Sequence, residues 1–329
     1  MKIDMHCHYL PRDCFNMTDS RGRVYGHTLH QESSGSDLVK VGGRGAGDPI
    51  LEELCDPVKR IRDMDNTNLD MQLISPSPPN INYELDAGLG LAHARKYNDG
   101  IAEVVRAYPD RFMGMATLPM QDIIGSIWEM ERTVRELKFK GVEIHSNING
   151  KNLDDVDLLP FYKKAQDLGV LIYIHPANMN LGGRLDKYGL NGLIGLPSDT
   201  AIAIASLIFG GIMEKFPKLK FLFSHAGGSA PYILGRWEHG YKVWPETRSV
   251  PKLPSEYFKL LYFDTVAHFD PALAYLVSTV GPAKVVLGSD YPYVLGDMDP
   301  VATVRNAGGI SMADKHIILE TSARDLLGI

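Results

Sequence analysis

Short apolar segments rich in β-branched and aromatic residues alternate along the chain with longer segments of helical periodicity. This alternation predicts strand–helix repeats around a parallel sheet. The predicted strands are Lys2–Met5, Met71–Ser75, Phe112–Leu118, Gly141–His145, Val170–His175, Leu219–Ser224, Leu261–Asp264 and Val285–Gly288. Their number predicts an α/β fold of the (β/α)8 TIM-barrel type, with a doubly wound parallel sheet as the alternative.

Helical periodicity fills most of the sequence between these strands, and several of the helical segments begin with acidic or hydroxyl residues that favour a helix N-terminus. The predicted helices are Glu84–Tyr108, Asp122–Leu137, Asp154–Leu168, Ser198–Phe216, Ala230–Tyr241, Asp270–Val280, Pro300–Asn306 and Ser311–Leu327. No linker interrupts the pattern, so we expect one domain over residues 1–329.

One segment, at about residues 11–51, shows no clear periodicity and contains several scattered glycines. A loop of this length inside a compact domain is usually functional or disordered. Since it follows the first strand, it would lie at the C-terminal face of a barrel, where active sites are found. We therefore predict a lid or insertion over this segment, with room for a small hairpin.

Composition and net charge exclude some classes of function but do not identify an activity. The net charge is −6 with a pI of about 6.0, which argues against nucleic-acid or anionic-membrane partners. No run of about 18 apolar residues is present, so no membrane span is expected. Polar residues interrupt the N-terminal segment, which therefore does not resemble a signal peptide. The 3 cysteines form no CxxC pair, which favours a reducing, cytoplasmic environment.

Ionisable residues stand at the ends of four predicted strands. Two of them, His6 and His8, alternate along the first strand and share one face, while His175, His225 and Asp290 follow later strands. A single buried histidine is more often a hydrogen-bonded core residue than a ligand. The C-terminal strand ends of a barrel converge, however, and imidazoles with a carboxylate suit Zn²⁺, with Fe²⁺ or Mn²⁺ as alternatives.

Sequence motifs at these positions resemble those of the amidohydrolase superfamily, in its decarboxylating branch typified by 2-amino-3-carboxymuconate-6-semialdehyde decarboxylase. The motifs that carry this resemblance cover most of the chain. They are MKIDMHCH at the start, DPVKRIRDMD before strand two, HPANMNLGGR after strand five, HAGGSAPYILGR after strand six and LGSDYPY after strand eight. The resemblance implies the barrel fold and a metal-dependent enzyme.

The resemblance also implies roles for the residues at the strand ends. His6, His8 and His175 would be metal ligands, with Asp290 as the fourth ligand and water as the fifth. Asp290 would also act in catalysis, and His225 would be the catalytic base beside the metal rather than a ligand. Strand four lacks the bridging carboxylated lysine of two-metal sites, so a mononuclear centre is implied.

Substrate contacts are implied at four further positions. Arg236 matches an arginine that reaches into the partner subunit's site in the relatives, which implies a homodimer. Tyr188 and Tyr293 match aromatic positions near the substrate. The relatives also have an arginine in the first insertion. A gapless alignment places Asp48 there, and Arg44 would take this role if the loop is shortened.

Strand four departs from the resemblance at two positions, where the relatives more often have a glutamine and no histidine. Alternation places Glu143 and His145 on one face of this strand. One interpretation is a hydrogen-bonded pair inside the barrel, and the other is contact with the substrate. The difference leaves the identity of the substrate open.

The expected chemistry follows from these residue types. A metal held by imidazoles and a carboxylate lowers the pKa of bound water towards roughly 7, and a neighbouring histidine such as His225 can take up that proton. We predict a metal-dependent, non-oxidative decarboxylase of an unsaturated or aromatic carboxylic acid in aromatic-compound catabolism. The alternatives are a hydrolase or hydratase of a ring-cleavage product on the same scaffold, and a zinc-stabilised binding protein.

Overall fold

The computed structural model describes residues 1–31, 37–41, 44–48, 51–176 and 183–329. Eight parallel strands follow each other in chain order around one sheet. They are β1 (Ile3–Tyr9), β2 (Met71–Pro76), β3 (Phe112–Thr117), β4 (Gly141–His145), β5 (Leu171–His175), β6 (Lys220–Phe223), β7 (Tyr262–Asp264) and β8 (Val285–Val286). Backbone bonds from Met5 to Leu287 and from His8 to Tyr291 close the sheet. The predicted (β/α)8 barrel is confirmed.

Helices connect the strands and pack around the sheet. Those in the described part of the chain are α1 (Leu51–Cys55), α2 (Pro57–Asn66), α3 (Ala87–Ala107), α4 (Ile123–Arg135), α5 (Leu159–Leu168), α6 (Leu196–Phe209), α7 (Ile212–Lys215), α8 (Ala230–Val243), α9 (Pro254–Phe258), α10 (Asp270–Val280), α11 (Pro300–Asn306), α12 (Met312–His316) and α13 (Ser322–Leu327). Two predicted helices are each divided. Gly211, with φ of 72°, separates α6 from α7 within the predicted Ser198–Phe216, and Ile317–Thr321 forms a wider turn between α12 and α13.

The insertion after β1 contains β structure in its described residues. Met17–Thr18 pairs with Val24–Tyr25, and three antiparallel strands follow at His27–Gln31, Asp37–Val41 and Arg44–Asp48. Strands of only two to five residues leave too few alternating positions to be recognised in the sequence. The sequence predicted at most a small hairpin here, whereas the insertion contains a two-stranded and a three-stranded antiparallel sheet.

A β-bulge in β1 decides which side chains face the inside of the barrel. Asp4 lies opposite Gln72 and Cys7 opposite Ile74, so β1 carries one residue more than β2 over this stretch. The extra residue allows Met5 to face the barrel interior while His6 also faces inward. Cys7 then points outward, into the apolar layer between strands and helices.

One helical segment, Asn191–Phe209, is long and apolar enough to cross a membrane by length and composition alone. Within it, 44% of the most apolar window is buried, and Ile204, Leu207 and Ile208 pack into the core around the barrel. Leu193 and Ile194, by contrast, are exposed.

Candidate metal centre and active site

Four of the residues predicted as ligands meet at the C-terminal end of the barrel. The Nε2 atoms of His6 and His8 lie 3.2 Å apart, and each lies 3.1 Å from Oδ1 of Asp290. His175 completes the cluster, in which one ligand atom from every residue lies within 4.8 Å of the others. All four side chains are buried. The barrel therefore brings strands 1, 5 and 8 together as the sequence predicted.

Backbone carbonyls fix the orientation of two of the imidazole rings. Nδ1–H of His8 donates to the carbonyl of Pro76 at 2.8 Å, and Nδ1–H of His175 donates to the carbonyl of Pro176 at 3.1 Å. With the proton on Nδ1, each ring presents the lone pair of Nε2 to the cluster. Nε2 of His175 is buried and has no hydrogen-bond partner among the described residues.

The carboxylates of Asp264 and Asp290 determine the protonation state of His6. Its Nδ1–H donates to Oδ2 of Asp264 at 2.5 Å, which directs its Nε2 towards Asp290. Burial alone lowers the pKa of His6, but the charges of Asp290 and Asp264 outweigh it and raise that pKa to about 10. The cluster therefore favours a positive charge at its centre.

The donor set fits a divalent metal ion. Three Nε2 lone pairs and a carboxylate oxygen converge in a buried space, where they repel one another unless a cation lies between them. Hydrogen bonds from the outer nitrogens to carbonyl or carboxylate oxygens are the usual support of metal-binding histidines. Three imidazoles and one carboxylate are ligands that Zn²⁺, Mn²⁺ and Fe²⁺ accept.

Asp264, at the end of β7, links the ligand His6 to the loop that carries His225. Its carboxylate accepts hydrogen bonds from the backbone N–H groups of His225 at 2.9 Å, Ala226 at 2.8 Å and Val266 at 3.0 Å. Burial raises its pKa, but the charge of His6 prevails and the pKa of Asp264 lies below the ordinary value. The sequence analysis missed this residue, although an aspartate ending an apolar strand was the same signal that identified Asp290.

Asp4 was also missed, and it anchors the other side of the centre. Its Oδ1 accepts from the backbone N–H of His6 at 3.1 Å, and its Oδ2 accepts from the hydroxyl of Ser289 at 2.6 Å. These bonds join the bulge of β1 to the segment that carries Asp290. Burial raises the pKa of Asp4 to about 6, and the bonds from Ser289 and His6 limit that rise.

The predicted base His225 lies beside the cluster and not within it. Its Nε2 is 3.4 Å from Oδ2 of Asp290, and its side chain is 18% exposed, whereas that of His6 is fully buried. The backbone of His225 and Ala226 has φ of 52° and 53°, a left-handed conformation that is strained for residues other than glycine. This turn directs the imidazole towards the open side of the cluster.

A hydrogen-bonded group connects the insertion to the cluster. The Tyr293 hydroxyl lies 2.5 Å from Oγ of Ser77, which lies 2.5 Å from Nε2 of His27. The Tyr293 ring packs edge-on against His8, with centroids 5.2 Å apart. The structure thus brings the predicted Tyr293 to the centre and adds His27 and Ser77, which sequence reasoning missed.

Two of the other residues predicted to bind substrate are exposed rather than buried with the cluster. Tyr188 is 85% exposed, and Arg236 lies on the exposed face of α8. Arg44 belongs to an insertion strand, but its side chain lies outside the described part of the structure. A contact between any of these side chains and the substrate stays a prediction.

The interpretation of Glu143 and His145 as a hydrogen-bonded pair is wrong. Within the described residues, neither carboxyl oxygen of Glu143 has a partner, and Nε2 of His145 has none. Burial raises the pKa of Glu143 to about 8, and the nearby Ser75 and His6 offset only part of that rise. Burial also lowers the pKa of His145 to about 4. The two side chains are each held neutral without pairing to each other.

Comparison with known proteins agrees with this geometry. The family model described as Amidohydrolase matches residues 3–329. The 2-amino-3-carboxymuconate-6-semialdehyde decarboxylase of Dictyostelium discoideum is 37% identical, over 100% of this chain and 92% of the relative. The enzyme of the same name from Caenorhabditis elegans is 31% identical, over 100% of this chain and 94% of the relative.

A solved structure shares the whole architecture. The 5-carboxyvanillate decarboxylase of Novosphingobium aromaticivorans, with bound manganese and 3-methoxy-4-hydroxy-5-nitrobenzoic acid, superposes with a TM-score of 0.84. It is 25% identical, and the match covers 100% of this chain and 97% of that one. Barrel, ligand cluster and relatives together define a barrel enzyme of the carboxy-lyase type, as the sequence predicted. The chain belongs to the amidohydrolase family, in the branch of the 2-amino-3-carboxymuconate-6-semialdehyde decarboxylases.

Proposed function

We propose that this protein is a metal-dependent, non-oxidative decarboxylase of an unsaturated or aromatic carboxylic acid. The observation that carries the proposal is the convergence of three imidazole nitrogens and one carboxylate, with His225 next to them on the open side. Relatives that are named decarboxylases support the same reaction class.

His6, His8, His175 and Asp290 would hold one divalent ion. When bound, that ion supplies Lewis acidity towards the substrate and lowers the pKa of a bound water. Decarboxylation replaces the carbon–carboxylate bond by a carbon–hydrogen bond, so the site must deliver one proton to the carbon that loses CO2. Nε2 of His225 is the group that we assign to hold and deliver this proton, because it is partly exposed and lies beside the ligands.

Zinc is the ion that we propose, because three neutral imidazoles and one carboxylate suit its preference for nitrogen donors. The manganese of the 5-carboxyvanillate decarboxylase makes Mn²⁺ the main alternative, and Fe²⁺ has the same donor preferences. Elemental analysis of the protein as isolated, followed by reloading of the stripped protein with each ion, distinguishes the three. A protein that binds none of them stoichiometrically would contradict the proposal.

Names of the relatives indicate the class of substrate. The carboxylate in 2-amino-3-carboxymuconate-6-semialdehyde has an amino group on the neighbouring carbon. We propose a substrate with an amino or hydroxyl group close to the carboxylate that is lost. The test is CO2 release from a panel of carboxymuconate semialdehydes and hydroxybenzoates. Turnover of a ring-cleavage product without CO2 would instead support the hydrolase or hydratase alternative.

We further propose that the active unit is a homodimer. Exposed Leu193 and Ile194 lie just before α6, and exposed Ile202 lies on α6. Tyr232, which is 87% exposed, lies on the neighbouring α8 together with Arg236. Apolar, aromatic and arginine side chains are enriched in the cores of interfaces. Arg236 would then act in the partner's site rather than in its own.

Mixing Arg236→Ala with His225→Ala tests this proposal. If Arg236 acts across the interface, a mixed dimer contains one site with both defects and one with neither, so activity partly returns. The absence of recovery after demonstrated subunit exchange would rule out the role in trans, and a monomeric mass at micromolar concentration would rule out the dimer.

A cytoplasmic location is proposed from the cysteines. Cys7, Cys14 and Cys55 are buried and form no disulfide bonds with one another, which suits a reducing compartment. Fractionation of the source cells and imaging of a fluorescent fusion protein would test this location. Recovery of the protein from the membrane or the extracellular fraction would contradict it.

A further inference from the structure

Glu143 is a buried acid whose two carboxyl oxygens have no partner at hydrogen-bond distance in the described structure, although the hydroxyl of Ser75 is near enough to lower its pKa. It lies in the middle of β4 with 0% of its surface exposed, and both of its carboxyl oxygens are unpaired. Burying a carboxyl group without compensating bonds is costly, and native folds retain such groups mainly where a function uses them.

The other fully buried glutamate among the described residues shows what a structural role looks like. Glu129 has 0% exposure and accepts from Nδ2 of Asn98 at 2.7 Å, from Nη2 of Arg132 at 2.7 Å and from Nε of Arg95 at 3.2 Å. A buried carboxylate is therefore fully paired where it serves the fold. The contrast indicates that the partner of Glu143 lies outside the described residues.

Glu143 lies at the floor of the proposed active site. It is directly opposite Tyr173 in the β4–β5 pairing, and the hydroxyl of Tyr173 is likewise buried and unpaired. The Tyr173 ring contacts His6, with centroids 5.4 Å apart, and the charges of His6 and Asp290 both act on Glu143. The unpaired oxygens therefore lie close to the ligand cluster, within reach of a molecule bound there.

Two residues further along β4, His145 adds another unpaired atom on the same face. It lies opposite the ligand His175, and its Nε2 is buried without a partner in the described structure. Three unpaired polar groups, on Glu143 and His145 of β4 and on Tyr173 of β5, thus line this side of the site. This polarity suits a ligand that carries a polar substituent on that side.

We propose that Glu143 is a specificity-determining residue that accepts a hydrogen bond from an amino or hydroxyl substituent of the carboxylate substrate. The inference rests on the proposed decarboxylation and adds the subsite that selects the substituent. An amino or hydroxyl substituent donates to the oxygens of Glu143, whereas a substrate without such a group leaves them unpaired. Sites with buried polar groups discriminate strongly against analogues that leave those groups unpaired.

The test measures whether the side chain and the substituent are energetically coupled. Probes are 2-hydroxybenzoate, 2-aminobenzoate and benzoate, titrated calorimetrically into metal-loaded wild-type protein, Glu143→Gln and Glu143→Met, with metal content measured for each. We expect wild-type protein to bind the two substituted probes about 10- to 100-fold more tightly than benzoate, the range of one hydrogen bond to a charged or buried group. Glu143→Met should abolish this preference, and Glu143→Gln should reduce it.

Thermal stability provides a readout that needs no ligand. Glu143→Met should raise Tm, because it replaces an unpaired buried carboxyl by an apolar side chain of similar size, whereas the control Glu129→Gln should lower Tm and keep the probe preference. A preference that survives in Glu143→Met, no binding of the substituted probes by wild-type protein, or a lower Tm in both Glu143 variants would overturn the proposal.

The two proposals fail in different ways. Wild-type protein that binds the probes with the expected coupling but releases no CO2 from the substrate panel would remove the decarboxylase assignment and keep the subsite. Release of CO2 from the substrate panel, together with an equal effect of Glu143→Met on the binding of all three probes, would keep the decarboxylase assignment and remove the subsite. Solvent alone would then satisfy the carboxyl group of Glu143.

Discussion

Nδ1–H of His6 donates to the carboxylate of Asp264 at 2.5 Å, and the same carboxylate holds the backbone N–H groups of His225 and Ala226. One residue thus orients a proposed metal ligand and also the turn that carries the proposed proton donor. A change at Asp264 should therefore affect both metal binding and turnover, although Asp264 is not one of the four proposed ligands.

Asp264→Asn should weaken metal binding by about 10- to 100-fold, the usual effect of losing a carboxylate that supports a metal-binding histidine. The neutral amide orients His6 less strongly and reduces the basicity of its Nε2. Competition with a chelator measures the dissociation constant. Asp157→Asn serves as the control, since Asp157 is exposed and forms an ion pair only with Lys151. Equal metal affinity in Asp264→Asn and wild-type protein would show that Asp264 does not support the metal.

His225→Ala should keep near-normal metal content and substrate binding but lose turnover by about 10²- to 10⁴-fold, the typical contribution of a general acid–base group. The reason is its position, since Nε2 lies beside Asp290 rather than between the ligands.

His175→Ala provides the matched comparison, because its Nε2 belongs to the cluster and its loss should sharply lower metal content in a folded barrel. Parallel loss of metal and activity in His225→Ala would place His225 among the ligands and contradict the proposed division of roles.

Strand ends were the part of the site that the sequence could predict. An apolar strand that terminates in an ionisable residue is conspicuous, so His6, His8, His175 and Asp290 were found before their contacts were known. The closed barrel then brings them together because all parallel strands end at the same face.

Features that depend on contacts between distant segments could not be predicted. The bulge in β1 shows itself only in the register with β2, and Asp4 and Asp264 become important only through the backbone groups that they hold. The insertion has no periodic pattern, so nothing in the sequence placed His27 beside Tyr293. The pairing of Glu143 with His145 was a sequence hypothesis that geometry overturned.

Arg60, on α2, is fully buried behind the centre and should contribute strongly to stability. Its Nη1 donates to the carbonyl of His8 at 2.6 Å, its Nε and Nη2 donate to Oε1 of Gln72, and its guanidinium lies 4.7 Å from the centre of the Tyr291 ring. Arg60→Met leaves these acceptors unpaired, so we expect a loss of about 3 kcal/mol in the free energy of unfolding.

Urea denaturation of metal-loaded protein measures this loss. Arg62→Met is the matched control, because Arg62 lies on the same helix but is exposed, and its replacement should change the free energy of unfolding by less than about 0.5 kcal/mol. Similar effects of the two substitutions would show that the buried contacts of Arg60 do not stabilise the fold.

His27 should make the protein less stable in mild acid. Burial, assisted by the charge of His8, lowers the pKa of His27 from 6.5 to about 4. Below pH 6.5 the unfolded chain therefore binds a proton that the folded protein does not, so stability falls as the pH falls towards 4. The loss from this residue should be about 2 kcal/mol between pH 7 and pH 5.

Denaturation of wild-type protein and His27→Gln at both pH values measures this loss, with exposed His239→Gln as the control. The His27→Gln variant should lose correspondingly less stability than wild-type protein, because it has no imidazole to protonate on unfolding, whereas His239→Gln should keep the wild-type dependence. An unchanged pH dependence in His27→Gln would mean that His27 is protonated in the folded protein, and that its contact with Ser77 and Tyr293 does not depend on a neutral ring.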